Sequence, residues 1–179
     1  VAENNLDFMI LEKVLVDQST QKNFWVDLNG DNQEDLVSLR ETYSSPRVFL
    51  RFGEELRPTK KGFYFPDGLM ASGLVFTDLN NDKIVDVVAY TLHQRTDLYP
   101  TPIQIFYGKR IGKQIVFKNS AEVNNLPLGL PTSNISPVDI DSDGDLDLFI
   151  SNWLQVSENT RPTYNYILLN QNNKFHGNP

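Results

Sequence analysis

A chain of 179 residues with 40% hydrophobic and 11% aromatic side chains is long enough for one domain with a real core, which argues against disorder. The absence of cysteine excludes disulfides, thiolate zinc sites and cysteine nucleophiles together, and no apolar run approaches the roughly 20 residues of a membrane-spanning helix. The net charge of -7 is local: ten of the 23 acids are Asp27, Asp31, Asp35, Asp78, Asp82, Asp86, Asp139, Asp141, Asp143 and Asp147, the other 13 face 16 bases, and with no basic stripe nucleic acid is not an expected partner.

Residues 1–20 hold LDFMILEKVLVDQ, an apolar stretch whose period suits a short helix or a strand, and Asp7–Leu15 is read as the outer strand of a preceding repeat unit. KNFWVDL then leads into NGDNQE, DLVSLRE, a turn at YSSP and RVFLRFG. Short apolar and β-branched runs separated by Asn, Gly, Asp and Pro clusters predict antiparallel strands. The same order returns as SGLVFTDL, NNDKIV, DVVAYTL, a turn through LYPTP and IQIFYG, and again as SNISPVDI, DSDGDL, DLFISNW, NTRP and TYNYILLN. The leading aspartates stand at 27, 78 and 139, 51 and then 61 residues apart. A fourth strand is expected between copies, as GFYFPDG, QIVFKNS and NKFHG.

Four strands per unit at this period are the pattern of radial blade repetition. The expected fold is all-β, with β-propeller blades of four antiparallel strands and three blades present: 21–70, 71–124 and a truncated 125–179, after the strand in 1–20. Propellers close with about four to eight blades, so missing blades or self-association are expected to complete the ring, because open ends would expose unpaired strand edges.

The repeated loops carry the chemistry. In DLNGDNQED the candidate metal ligands are Asp27, Asn29 and Asp31, the Gln33 carbonyl and Asp35. In DLNNDKIVD they are Asp78, Asn80, Asp82, the Ile84 carbonyl and Asp86; in DIDSDGDLD they are Asp139, Asp141, Asp143, the Asp145 carbonyl and Asp147. Carboxylates converging on one turn repel unless a cation sits between them, and five oxygen ligands plus water or a bidentate carboxylate suit Ca2+, up to one ion per loop. The helix–loop–helix calcium site requires Glu at position twelve, where Ser38, Ala89 and Ile150 stand. An Asp/Asn turn without metal is the alternative for any single loop. Gly144 at position six favours the third loop, Asn32 tolerates a left-handed turn in the first, and Lys83 makes the second the weakest expected site.

The pattern D-x-[DN]-x-D-G-x-x-D followed by an apolar strand resembles the FG-GAP/VCBS calcium-loop β-propeller repeats of integrin α-chains and exported bacterial proteins, over nearly the whole chain. Asn32 and Lys83 depart from the preferred glycine; Phe52-Gly53 and, approximately, Tyr107-Gly108 match the Phe-Gly of the family, while Leu169-Asn170 does not. FKNSAEV and NYILLNQNNKF make the third copy more similar to bacterial VCBS and ASPIC/UnbV-type repeats than to integrins. The resemblance implies a secreted or cell-surface propeller for adhesion, with a protein or glycan ligand; the alternative is the propeller portion of a secreted carbohydrate-active enzyme such as a polysaccharide lyase. An enzyme is not expected, because only His93 and His176 are neutral-pH bases. Trp25 is read as a core residue, and ligand contacts are expected on the loops that differ between copies, 91–101 and 153–163, where Trp153 and Arg161 stand, close to Tyr164.

Overall fold

The computed structural model describes residues 22–40, 45–60, 62–91, 103–124, 132–152 and 164–178. The expected strand of Asp7–Leu15, His93, Trp153, Arg161 and nearly all of the two variable loops lie outside these residues. Three antiparallel sheets account for the described chain. The first runs β1 (Lys22–Val26), β2 (Asp35–Leu39), β3 (Arg47–Phe52) and β4 (Glu55–Pro58), and the second β5 (Gly73–Thr77), β6 (Asp86–Tyr90), β7 (Ile103–Ile111) and β8 (Gln114–Ser120). After the short β9 (Glu122–Asn124), the third contains β10 (Thr132–Val138), β11 (Asp147–Asn152), β12 (Tyr166–Gln171) and β13 (Lys174–Asn178). Strand order follows chain order within each sheet, so each is a blade-like meander, and β9 crosses to pair in parallel with β13 at the outer edge of the third.

The sheets stack face to face, which explains why their second strands read as almost continuous apolar runs. DLVSL in β2 and DVVAY in β6 are buried at every residue because both faces are covered. The pleat divides them by alternation: Val87 and Ala89 of β6 join Val37, Leu39, Val48 and Leu50 in a core layer between blades one and two, whereas Val88 and Tyr90 join Ile135, Leu148, Ile150 and Leu168 between blades two and three. A fully buried side chain of this kind contributes about 2–3 kcal/mol, so each joint is a hydrophobic interface in its own right. Among the described residues no helix is long and apolar enough to cross a membrane.

Two expectations are corrected. GFYFPDG is not the fourth strand of blade one: that strand is the polar Glu55–Pro58, and residues 62–68 form turns, with Gly62 at φ 76° and Gly68 at φ 81°. Left-handed backbone at both ends and Pro66 between them deny this segment a ladder, and it serves instead as a plug. Tyr64 and Phe65 are buried in the first core layer, the Phe65 ring stacks 5.2 Å from Phe117, and the Tyr64 carbonyl accepts from the Phe117 N–H at 2.7 Å. Trp25, expected in the core, is 46% exposed, because it stands on the side of β1 away from blade two.

The Phe-Gly pairs also part company. Gly53 (φ 64°) follows β3 in the tight turn to β4, whereas Gly108 lies inside β7 at a register shift, with Val85 O pressed so close that a Cβ has no room.

Candidate metal centre

The three loops connect the first and second strands of each blade, and each ends in an aspartate that opens the second strand. Asp35, Asp86 and Asp147 are fully buried, and both oxygens of each accept backbone N–H groups. Asp35 takes Leu28 N–H at 2.9 Å and Arg51 N–H at 2.8 Å. Asp86 takes Leu79 at 2.8 Å and Gly108 at 2.7 Å, and Asp147 takes Ile140 at 2.9 Å and Asn170 at 2.8 Å. The ninth residue of each loop therefore staples position two of its own loop to the third strand of its blade. A carboxylate oxygen has two lone pairs, so this staple leaves acceptor capacity for a cation.

The other side chains form a ladder. The position-one carboxylate accepts from position six: Asp27 from Asn32 N–H at 2.9 Å, Asp78 from Lys83 at 2.8 Å, Asp139 from Gly144 at 3.2 Å. Position three accepts from position five, at 2.9 Å in Asn29, 3.1 Å in Asn80 and 3.3 Å in Asp141. Position five accepts from position seven, at 2.8 Å in Asp31 and Asp82 and 2.9 Å in Asp143. These nested Asx turns hold Gln33, Ile84 and Asp145 by their N–H groups.

The turns require left-handed backbone at two positions. Position six has φ 64° at Asn32, 66° at Lys83 and 95° at Gly144, and position four has φ 72° at Gly30, 58° at Asn81 and 63° at Ser142. The second constraint was not drawn from the sequence, although Gly, Asn and Ser are all turn residues. A lysine held there is strained by about 1 kcal/mol. Lys83→Gly is expected to raise the unfolding free energy by about 0.5–1 kcal/mol in urea titrations; an unchanged or lower value would refute the strain.

In the third loop, ligand atoms of Asp139, Asp141 and Asp147 lie within 4.8 Å of one another, the only such acidic trio among the described residues. Asp143 is not in it, and the carboxylates of the first two loops do not gather as closely. Burial pushes the Asp86 carboxyl up to about 6 against the opposing pull of its two N–H partners, with Asp82 and Asp78 adding to the rise; Asp35 is raised by the same cause. Asp141 is raised by loss of water around it and by the charge of Asp143. A buried and a half-buried tyrosine flank two of the staples: Tyr64 and Tyr107 are each pushed up to about 12, by loss of water and then by the charge of Asp35 and Asp86 respectively. The donor set is entirely hard oxygen, the chemistry a Ca2+ or Mg2+ ion takes.

The loops also fasten neighbouring blades. Leu28 and Leu79, at position two, are buried in the joints, and their carbonyls accept across them, Leu28 from Ile115 N–H at 2.7 Å and Leu79 from Asn170 Nδ2 at 2.9 Å. Asn81 Nδ2 reaches Asp145 Oδ1 at 3.0 Å in the next loop. Asn170, a mere departure from Phe-Gly in the sequence, thus anchors a joint that sequence reasoning did not anticipate; the Leu, Leu and Ile at position two were the available signal.

Residues 27–89 match the family model described as an FG-GAP-like repeat, a span that runs from the first aspartate of loop one into β6 and includes two of the three loops. No curated protein matches the chain.

Proposed function

We propose, from the premise that residues 27–89 are an FG-GAP-like repeat in a β-propeller-type module, that this chain is a calcium-stabilised, secreted or cell-surface interaction module without catalytic activity of its own. The observation that carries the reading is the threefold recurrence of one staple and one ladder, with three carboxylates drawn together in the third loop. Asp139, Asp141, Asp143 and Asp147 would hold the ion there, with the Asp145 carbonyl; Asp27, Asn29, Asp31, Gln33 and Asp35, and Asp78, Asn80, Asp82, Ile84 and Asp86, are the corresponding sets. A bound cation supplies charge neutralisation, and the chain supplies preorganised oxygens whose N–H partners keep them aimed. Carboxylates engaged in this way are poor general acids.

The ligand face is the opposite one. In a meander the β1–β2 and β3–β4 connections share one end of the blade, and the β2–β3 and β4–β5 connections the other. There a 770 Å³ groove is lined by Arg40, Arg47, Lys60, Asp67, Pro66 and Met70 among others. Among the described lining residues the bases Arg47 and Lys60 outnumber the acid Asp67, which suits an anionic protein or glycan surface. The same groove is what favours the second reading, the propeller portion of a secreted enzyme acting on acidic polysaccharide, and a glycan array separates the two when read beside an assay for chain cleavage. Calcium titration by calorimetry is expected to give up to three ions with the third loop filled first and the second last, in the range of about 0.1–1 mM typical of extracellular modules. No heat at tenfold higher calcium, or a larger loss of bound ion from Asp82→Ala than from Asp143→Ala, overturns the reading or its ranking respectively.

A further inference from the structure

The chain holds a single Asn-Gly pair, Asn29-Gly30, at positions three and four of the first loop. An asparagine followed by glycine is chemically vulnerable, because the next backbone nitrogen can attack the side-chain amide when no Cβ shields it. The turn itself demands the glycine: Gly30 has φ 72°, and a Cβ there would meet Arg110 Nη1 at 3.0 Å. The second loop has Asn80-Asn81 at these positions and the third Asp141-Ser142, so neither repeats the pair.

The hydrogen bonds around the pair supply the parts of an acyl transfer. Gly30 N–H, the nucleophile, donates to Asp27 Oδ1 at 2.6 Å, so a carboxylate stands ready to take its proton. Asn29 Oδ1 accepts from Asp31 N–H at 2.9 Å, which turns the amide carbon back toward the Gly30 nitrogen and polarises its carbonyl. Among the described residues nothing holds Asn29 Nδ2, the leaving group, whereas Asn80 Nδ2 is tied to Asp82 Oδ2 at 3.1 Å. Gly30 is exposed and Asn29 half-buried, so solvent water reaches the pair.

We propose that Asn29 is a self-modification site, deamidated in the folded chain with Asp27 as the general base. Gly30 N attacks Asn29 Cγ as Asp27 takes its proton, the Cγ–Nδ2 bond breaks, and Nδ2 leaves with that proton as ammonia. A cyclic imide remains, and water opens it. Attack at Cγ restores an ordinary main chain with aspartate at position 29, and attack at the backbone carbonyl leaves isoaspartate. The sum is one water consumed and one ammonia released, with no oxidant or reductant. The aspartate product carries carboxylates at 27, 29, 31 and 35, the set that the third loop holds as Asp139, Asp141, Asp143 and Asp147. On the reading that these loops hold calcium, on which this consequence rests, the reaction raises the charge of the first site to that of the third.

Peptide mass spectrometry on the chain in EDTA, held for weeks at neutral pH and body temperature, tests the site. The expected result is a gain of about one dalton at Asn29 ahead of every other asparagine. Ammonia should appear in equal amount, part of the product should be isoaspartate, and the reaction should run faster in the folded chain than in urea. Asp27→Asn keeps an acceptor for Gly30 N–H but cannot take the proton, and is expected to slow the reaction about tenfold with an unchanged circular dichroism spectrum. If that variant fails to fold, the ratio of folded to unfolded rates in the wild type decides. An intact Asn29, or a faster reaction in urea, overturns the proposal, and an unchanged rate in Asp27→Asn overturns the role of the base. Calcium titration of Asn29→Asp tests the reading of the loops separately: tighter binding at the first loop is expected, and no binding by either chain would sink the calcium reading while the mass gain still stood.

Discussion

Asp86→Ala is expected to lower the unfolding free energy by about 4 kcal/mol in saturating calcium. The substitution strands two backbone N–H groups, Leu79 and Gly108, at the buried base of the second loop. Each unsatisfied buried donor costs about 1–3 kcal/mol, and loss of a metal ligand adds to this. Without calcium an opposing effect enters. The raised carboxyl, near 6 against an ordinary 3.8, means that keeping Asp86 ionised at neutral pH itself costs the fold at most about 3 kcal/mol. Removing the carboxylate relieves that cost, so the loss should shrink markedly in chelator. Urea unfolding of wild type and variant in both conditions measures this. Asn80→Ala, which removes one exposed ladder acceptor, provides the scale at about 1 kcal/mol. An Asp86→Ala cost no larger than that of Asn80→Ala would show that the staple is not structural.

Chelation itself is expected to have the next largest effect. A site held at tenfold its dissociation constant adds about 1.4 kcal/mol by mass action, so three filled loops add about 4 kcal/mol. In a chain of this length that corresponds to a melting temperature lower by roughly 8–16 °C in EDTA. The calcium increment should also fade as pH falls through about 6. Asp86 binds its proton more tightly folded than unfolded, so its contribution to the metal-free fold is least favourable above about 6 and recovers as pH falls toward 4. Protons and calcium thus compete for the same buried oxygens. An EDTA melt that superimposes on the calcium melt would reduce the loops to turns.

Much of this was legible in the residues because it is local. The aspartate-rich loops depend on Asp and Asn side chains bonding N–H groups two to five positions away, a geometry set within nine residues, so their spacing alone announced them. The blades were equally legible where strands alternate or run apolar between turn clusters. GFYFPDG misled because its aromatic content suits a strand, and what decided against it was competition from the polar Glu55–Pro58, whose pairing with β3 is a matter of reach across a tight turn. Trp25 misled for a related reason: hydrophobicity implies burial only where something stands opposite.

The sequence by itself determined the all-β class, the three repeat units and the Asp and Asn positions that build each loop's ladder, since these follow from short-range hydrogen bonding and the period of the side chains. Only the tertiary structure decided that the ninth aspartate of each loop staples a third strand lying 16 to 23 residues further along, and that Leu28 and Leu79 lock one blade to the next. It likewise decided that Ile140, Phe149 and Trp25 remain uncovered. Those outcomes depend on which surfaces meet when blades stack, and no residue's own propensity encodes its neighbour across a joint.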